Sequence, residues 1–186
     1  RSSAGSPDST TRPRLDAGHG PRARHAGRGT RARAGRARPI GDAGVIGWLV
    51  LSFLVPGEYA ADRETLVGAT NEGFYYEVDR ETAAATYMGS YPDGWLSSGD
   101  IVSVEGLGTF ATVRRADFPS DVLVRILFAA GGSSSVVVLG PIRSSSRDFT
   151  QLFGQGYWGR VLYGFSNSGE LIEIDRDSGA GEVVAT

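Results

Sequence analysis

An internal repeat constrains the fold of this chain more than any other feature of its 186 residues. Residues 66–80 and 162–176 align without a gap at a spacing of 96 residues, and they share Leu, Gly, Asn, Gly, Glu, Asp and Arg at matching positions. Halfway between them, residues 123–126 occupy the place of a degraded third copy. The period is therefore about 48 residues, the length of one supersecondary unit in a repeat protein.

The strand pattern within each repeat predicts an all-β fold. From residue 65 onward, short β-branched and aromatic runs alternate with Gly, Asn, Asp and Ser turns, and no useful helical period is present. The apolar run at 44–55, which ends at Pro56-Gly57, is expected to add a first buried strand. The other predicted strands are 65–69, 74–79, 86–89, 101–105, 109–114, 122–128, 135–139, 149–153, 161–166, 170–175 and 182–185.

The last repeat copy carries a family resemblance. It reads L-Y-G-F at 162–165, L-I-E-I-D at 171–175, S-G-A at 178–180 and V-V at 183–184, with Y-W-G-R just before it. This run resembles the L-Y-G…L-x-x-I-D-x-x-T-G-x-x-x-x-V blade of bacterial, often exported, β-propeller-repeat proteins. The resemblance spans roughly residues 48–186 and implies four-stranded meander blades, but little about function.

The chain departs from that blade pattern at three positions. Arg80 and Arg176 stand where the family commonly has proline, and Leu127 stands where the blade aspartate belongs. The residues after 41 suffice for about three blades, whereas closed propellers typically have four to eight. We therefore expect a partial propeller whose open sheet edges leave self-association as one option.

Charge divides the chain into two parts. Residues 1–41 contain ten of the nineteen basic residues and two acids, whereas the remainder has nine Arg against nineteen Asp and Glu. We predict a disordered Arg/Gly/Ala-rich tail at 1–41 and a β-propeller-like repeat domain at 42–186. No aromatic residue interleaves the arginines of the tail, which disfavours a nucleic-acid arm.

The apolar run at 44–55 is too short to span a bilayer, so no membrane span is predicted. Because basic residues precede it, the run imitates the hydrophobic part of a signal peptide, and export from the cell is one interpretation. The chain begins with Arg1 and has no lysine. We therefore also expect a fragment or a missing natural start.

Residue types exclude several kinds of chemistry from the repeat domain. Cysteine is absent, and both histidines, His19 and His25, lie in the tail. Disulfides, thiolate metal sites, a Ser-His-Asp triad and a His-based zinc site are therefore not expected there. The segment after Asp175 lacks the later ligands of a calcium loop, so we predict that Asp79 and Asp175 accept turn hydrogen bonds. We predict no metal, no cofactor and no catalytic residue.

Three aromatic residues beside turns are the candidate binding residues: Trp95, Tyr157 and Trp158. If exposed, they would offer stacking surfaces to a protein or glycan partner, and if buried they would fill space between blades. The predicted function is a non-catalytic binding or scaffolding module, with the ligand unknown. Two alternatives stay open: a carboxylate-dependent hydrolase or lactonase of propeller fold, and an incomplete gene product without independent function.

Overall fold

The computed structural model describes residues 47–129 and 133–186. The predicted disordered tail lies outside these residues. Within the described residues the chain forms twelve strands and no helix. The strands are β1 (Trp48–Leu54), β2 (Thr65–Thr70), β3 (Phe74–Val78), β4 (Ala85–Ser90), β5 (Leu96–Val104), β6 (Gly108–Arg114), β7 (Val122–Ala129), β8 (Ser133–Pro141), β9 (Leu152–Trp158), β10 (Val161–Ser166), β11 (Leu171–Ile174) and β12 (Gly181–Ala185).

The twelve strands form three four-stranded antiparallel sheets, each a simple meander in chain order. Sheet 1 contains β1–β4, sheet 2 contains β5–β8 and sheet 3 contains β9–β12. The prediction of an all-β fold with about three four-stranded meanders is therefore confirmed. The first strands of the meanders are neighbours, because β1 lies beside β5 and β5 lies beside β9.

Turn chemistry explains why the strands reverse where they do. Gly73 and Gly169, at equivalent repeat positions, have φ values of 85° and 87° and close the β2–β3 and β10–β11 turns. Gly159 and Arg160, with φ values of 59° and 74°, form the two-residue β9–β10 connection. Both central residues of such a turn have positive φ when its twist matches that of the strands.

Two predicted strand positions are wrong. The predicted strand at 149–153 is instead β9, Leu152–Trp158, so the Gly154-Gln155-Gly156 segment lies inside a strand and not between strands. Glycine is tolerated there because Gly154 lies opposite Phe165, whose side chain would be 3.3 Å from an added Cβ. Strand β5 begins at Leu96, five residues before the predicted start. Its pairing with β6 is irregular near Gly99, so the residue pattern there does not indicate a strand.

Sheet 2 is the middle layer of the fold, with apolar side chains buried on both of its faces. One core lies between sheets 1 and 2, and the other lies between sheets 2 and 3. The first core includes Val50, Leu54, Val67, Tyr75, Met88, Trp95, Ile101, Val113, Val124 and Ile126. The second core includes Phe110, Leu123, Ile142, Phe149, Leu152, Leu162, Ile172 and Ile174.

The two aspartates at the ends of the repeat strands form matching turns. Asp79 Oδ1 accepts the backbone N–H groups of Glu81 and Thr82 and the Thr82 hydroxyl. Asp175 Oδ1 accepts the same three donors from Asp177 and Ser178. The prediction of turn-capping aspartates is confirmed at both positions, and the hydrogen bonds lower the pKa of both carboxyls.

Candidate functional site

A cleft opens at the end of the sheets where the β2–β3, β6–β7 and β10–β11 turns gather. Alternate turns of a meander fall at the same end, so three distant turns come together with the segments that lead into β5 and β9. The cleft has a volume of about 730 Å³. Its walls combine amide, guanidinium and hydroxyl side chains with two phenylalanines, Phe118 and Phe153.

Arg115 is fixed in the wall by contacts on several sides. Its guanidinium donates to both carboxylate oxygens of Asp117, at 2.6 and 3.0 Å, and to the Asp93 carbonyl at 3.3 Å. The same group lies 4.4 Å from the centroid of the Trp95 ring and 5.0 Å from that of Phe118. The bonds to Asp117 raise the pKa of Arg115, and the side chain acts as a rigid part of the cleft.

Arg114 lines the same cleft but is held less tightly. Its side chain is exposed, and within residues 47–129 and 133–186 it forms no ion pair. Its charge lowers the pKa of Asp121 without a direct bond to that carboxylate. Arg114 therefore offers all of its guanidinium donors to a molecule that enters the cleft.

Asp121 forms the buried floor. It is 3% exposed, and its Oδ2 accepts the Ser98 hydroxyl and, at 2.8 Å, the backbone N–H of Leu152. Burial raises the pKa of Asp121, while the hydrogen bonds and the charge of Arg114 oppose that shift. The carboxylate thus holds two segments of the cleft together instead of facing its opening.

Side-chain amides form the rim at two repeat-equivalent turns. The Asn167 N–H donates to the Gln151 carbonyl at 3.0 Å, and its side-chain amide donates to Gln151 Oε1 at 2.9 Å. At the matching position, the Asn71 N–H donates to the Gly47 carbonyl at 3.1 Å. Gln151 has a φ of 58°, unusual for a residue with a side chain, and its exposed amide is thereby held at the rim.

The structure does not bring the three candidate binding residues together. Trp95 is 5% exposed and packs beneath Arg115 and Phe118, so its ring supports the cleft from inside the core. Tyr157 is half-buried and packs against the second core. Trp158 is 78% exposed, but it ends β9, whereas the cleft lies at the start of that strand. A binding role for Trp158 stays a prediction.

The arrangement of acids bears on the alternative of a hydrolase. Asp121 is the only carboxylate that lines the cleft among the residues that the structure describes, and no group of three metal-binding side chains occurs in them. Asp100 has a pKa raised by burial, but it lies outside the cleft lining. Glycoside hydrolysis usually needs two carboxyl groups about 5–10 Å apart, and this cleft does not bring such a pair together.

Residue patterns missed the cleft because its residues belong to no linear motif. In the sequence, Asn71 and Asn167 have the pattern of ordinary turn residues, and Arg114 and Asp121 flank a loop that has no signature. One usable signal is topological, since polar residues in alternate turns of a meander share one end of the sheet.

The described strands and loops also include no helix long and apolar enough for a membrane crossing.

Comparison with known proteins supplies no relative from which a function could be transferred. The chain matches no protein-family model, no curated protein and no solved structure.

Proposed function

We propose that the three meanders are blades of a propeller-type module without catalytic activity, which binds a partner protein through the cleft. The blade arrangement is supported by the neighbouring first strands β1, β5 and β9 and by the face-to-face packing of the sheets. Loops gathered at one end of a rigid sheet scaffold are the usual place for a binding site.

One observation carries the proposal. Among the residues that the structure describes, the cleft combines the unpaired guanidinium of Arg114 with amide groups at Asn71, Gln151 and Asn167, and its one carboxylate, Asp121, is buried and hydrogen-bonded. Such a wall binds and orients a polar chain, but it supplies no pair of groups for acid and base steps. Phe118 and Phe153 add apolar contact area beside these polar groups.

The free guanidinium indicates the kind of ligand. A carboxylate can accept two parallel N–H bonds from an arginine, and such charge-assisted bonds are among the stronger polar contacts. The amides at the rim can donate to and accept from a peptide backbone. The ligand that fits best is an extended, acidic peptide segment with a carboxylate placed against Arg114.

The experiment is a titration of the ¹⁵N-labelled full chain with an acetylated hexaglutamate amide, followed by NMR. Hexaglutamine of the same length is the matched neutral probe. We expect amide shifts at the cleft residues with hexaglutamate, weaker ones with hexaglutamine, and about a tenfold loss of affinity in Arg114→Gln.

Arg125→Gln is the control variant, because Arg125 is exposed on β7 and does not line the cleft. It should bind hexaglutamate as the native chain does. Equal affinity of native chain and Arg114→Gln, or shifts confined to residues outside the cleft, would overturn the proposal.

A further inference from the structure

The stack of three sheets leaves two exposed faces with apolar residues. The outer face of sheet 1 carries Leu51, Phe53, Phe74 and Tyr87, between 37% and 63% exposed. The outer face of sheet 3 carries Phe165 at 47% and Trp158 at 78%. Exposed apolar surface on this scale commonly marks an interaction site.

The internal repeat relates each of these exposed faces to a face that is buried elsewhere in the chain. In sheet 3, Leu162, Gly164, Ile172 and Ile174 pack against sheet 2 and are buried. The residues 96 positions earlier in sheet 1 are Leu66, Gly68, Tyr76 and Val78, and strand register places them on its outer face. The outer face of sheet 1 is thus equivalent to the inner face of sheet 3.

The converse holds for the outer face of sheet 3. Val67, Ala69 and Tyr75 are 0% exposed in the contact between sheets 1 and 2. Their equivalents in sheet 3 are Tyr163, Phe165 and Leu171, on the face turned away from sheet 2. Trp158 pairs with Val161 in sheet 3, and Leu54, which is fully buried, pairs with the equivalent residue Thr65 in sheet 1. Trp158 therefore occupies in sheet 3 the position that Leu54 occupies in sheet 1.

From this relationship we infer that a second copy of the chain covers both faces. The sheet 3 outer face of one copy packs on the sheet 1 outer face of the other, in the way that neighbouring sheets already pack within the chain. Because the two faces differ, the contact is head-to-tail, and two copies close it into a ring of six sheets. That number lies within the four to eight blades of closed propellers.

Charge on the two faces agrees with this pairing. Glu173 and Glu182 lie directly opposite each other on the sheet 3 outer face, and neither forms an ion pair among the described residues. Like charges in directly opposite positions destabilise a sheet unless a cation approaches them. The sheet 1 outer face presents Arg80, whose guanidinium lies 5.9 Å from the Phe53 ring centroid. The contact is separate from the cleft and does not depend on its function.

The test is sedimentation equilibrium of the full chain from about 1 to 200 µM, a range that covers ordinary dimer affinities. We expect twice the chain mass of 19.7 kDa. Leu51→Glu on one face and Trp158→Glu on the other should each weaken the dimer by about a hundredfold, because each places a charge in the apolar contact. Circular dichroism checks that the variants fold.

Mixing the two variants separates a head-to-tail contact from other pairings. Leu51→Glu retains an intact sheet 3 face and Trp158→Glu an intact sheet 1 face, so the mixture should form a pair that neither variant forms alone. Val137→Glu is the control, since Val137 is 44% exposed on β8, outside both faces, and should leave the dimer intact. A native chain that stays monomeric or assembles beyond two copies would overturn the inference. So would a dimer that survives either substitution, or a mixture that stays monomeric.

Discussion

The Asp121 carboxylate accepts the backbone N–H of Leu152 at 2.8 Å and joins the loop before β7 to the start of β9. The Asp121 N–H donates to the Phe149 carbonyl at 2.8 Å, and its carbonyl accepts the Ile142 N–H at 2.7 Å. One buried residue thereby connects sheet 2 with the whole segment that leads into sheet 3. Its ionisation state consequently affects both the stability of the fold and the floor of the cleft.

We expect Asp121→Asn to become more stable, relative to the native chain, as the pH rises from about 4 to about 7. Burial raises the pKa of Asp121, so the folded chain holds this proton more tightly than the unfolded chain does. The contribution of Asp121 to stability therefore falls as the pH rises from the ordinary aspartate pKa through the raised one, whereas asparagine does not titrate. Tm values of both proteins across this range measure the difference, and a gap that does not change with pH would contradict the prediction.

The opposite pH dependence is expected for Asp175→Asn. Bonds from the Ser178 hydroxyl and from two backbone N–H groups lower the pKa of Asp175, so its carboxylate stabilises the fold above the ordinary aspartate pKa. That contribution is lost as the pH falls through the lowered pKa. The substitution should cost about 1 kcal/mol near neutral pH and progressively less in acid.

Urea unfolding at several pH values measures this loss for Asp175→Asn. Asp177→Asn is the control, because the Asp177 carboxylate accepts no hydrogen bond in the part of the chain that the structure describes. If both variants lose the same free energy of unfolding at neutral pH, the turn bonds of Asp175 do not stabilise the fold as proposed.

Gly99 allows β5 to approach β9 closely, and Gly99→Ala should separate the two strands. A Cβ at this position would lie 1.7 Å from the Leu152 carbonyl oxygen, a backbone atom that cannot move aside cheaply. We expect a loss of about 3 kcal/mol or more in the free energy of unfolding. Gly156→Ala in β9 has open space around its new methyl group and should change stability by roughly 0.5 kcal/mol. Similar losses in the two variants would contradict the close approach.

Local residue patterns predicted the order and number of the strands because each strand depends on its own residues and turns. The repeat-equivalent turns at Gly73 and Gly169, for example, need a positive φ that glycine adopts readily. The start of β5 and the position of β9 were missed for the opposite reason. Gly99 and Gly154 are strand residues because they lie against Leu152 and Phe165, which are distant in the sequence. The residues next to each glycine in the sequence do not indicate these contacts.

The cleft could not be predicted because its chemistry depends on burial and on distant partners. Trp95 was a candidate for an exposed platform, yet packing with Phe118 and Arg115 places it in the core. Nothing in the sequence distinguishes Asp121, since an isolated aspartate before a strand resembles any turn residue. Only the packing of sheets 2 and 3 gives it a buried position and a raised pKa.

The equivalence between exposed and buried faces has a consequence for how such a chain changes length during evolution. Each sheet presents one kind of face to the sheet before it and the other kind to the sheet after it, as the match of Leu66 to Leu162 and of Tyr75 to Leu171 illustrates. Duplication or loss of one whole repeat therefore creates no new type of surface. A gene for this fold can gain or lose sheets singly, while the kinds of face at the junctions and at the two ends stay the same.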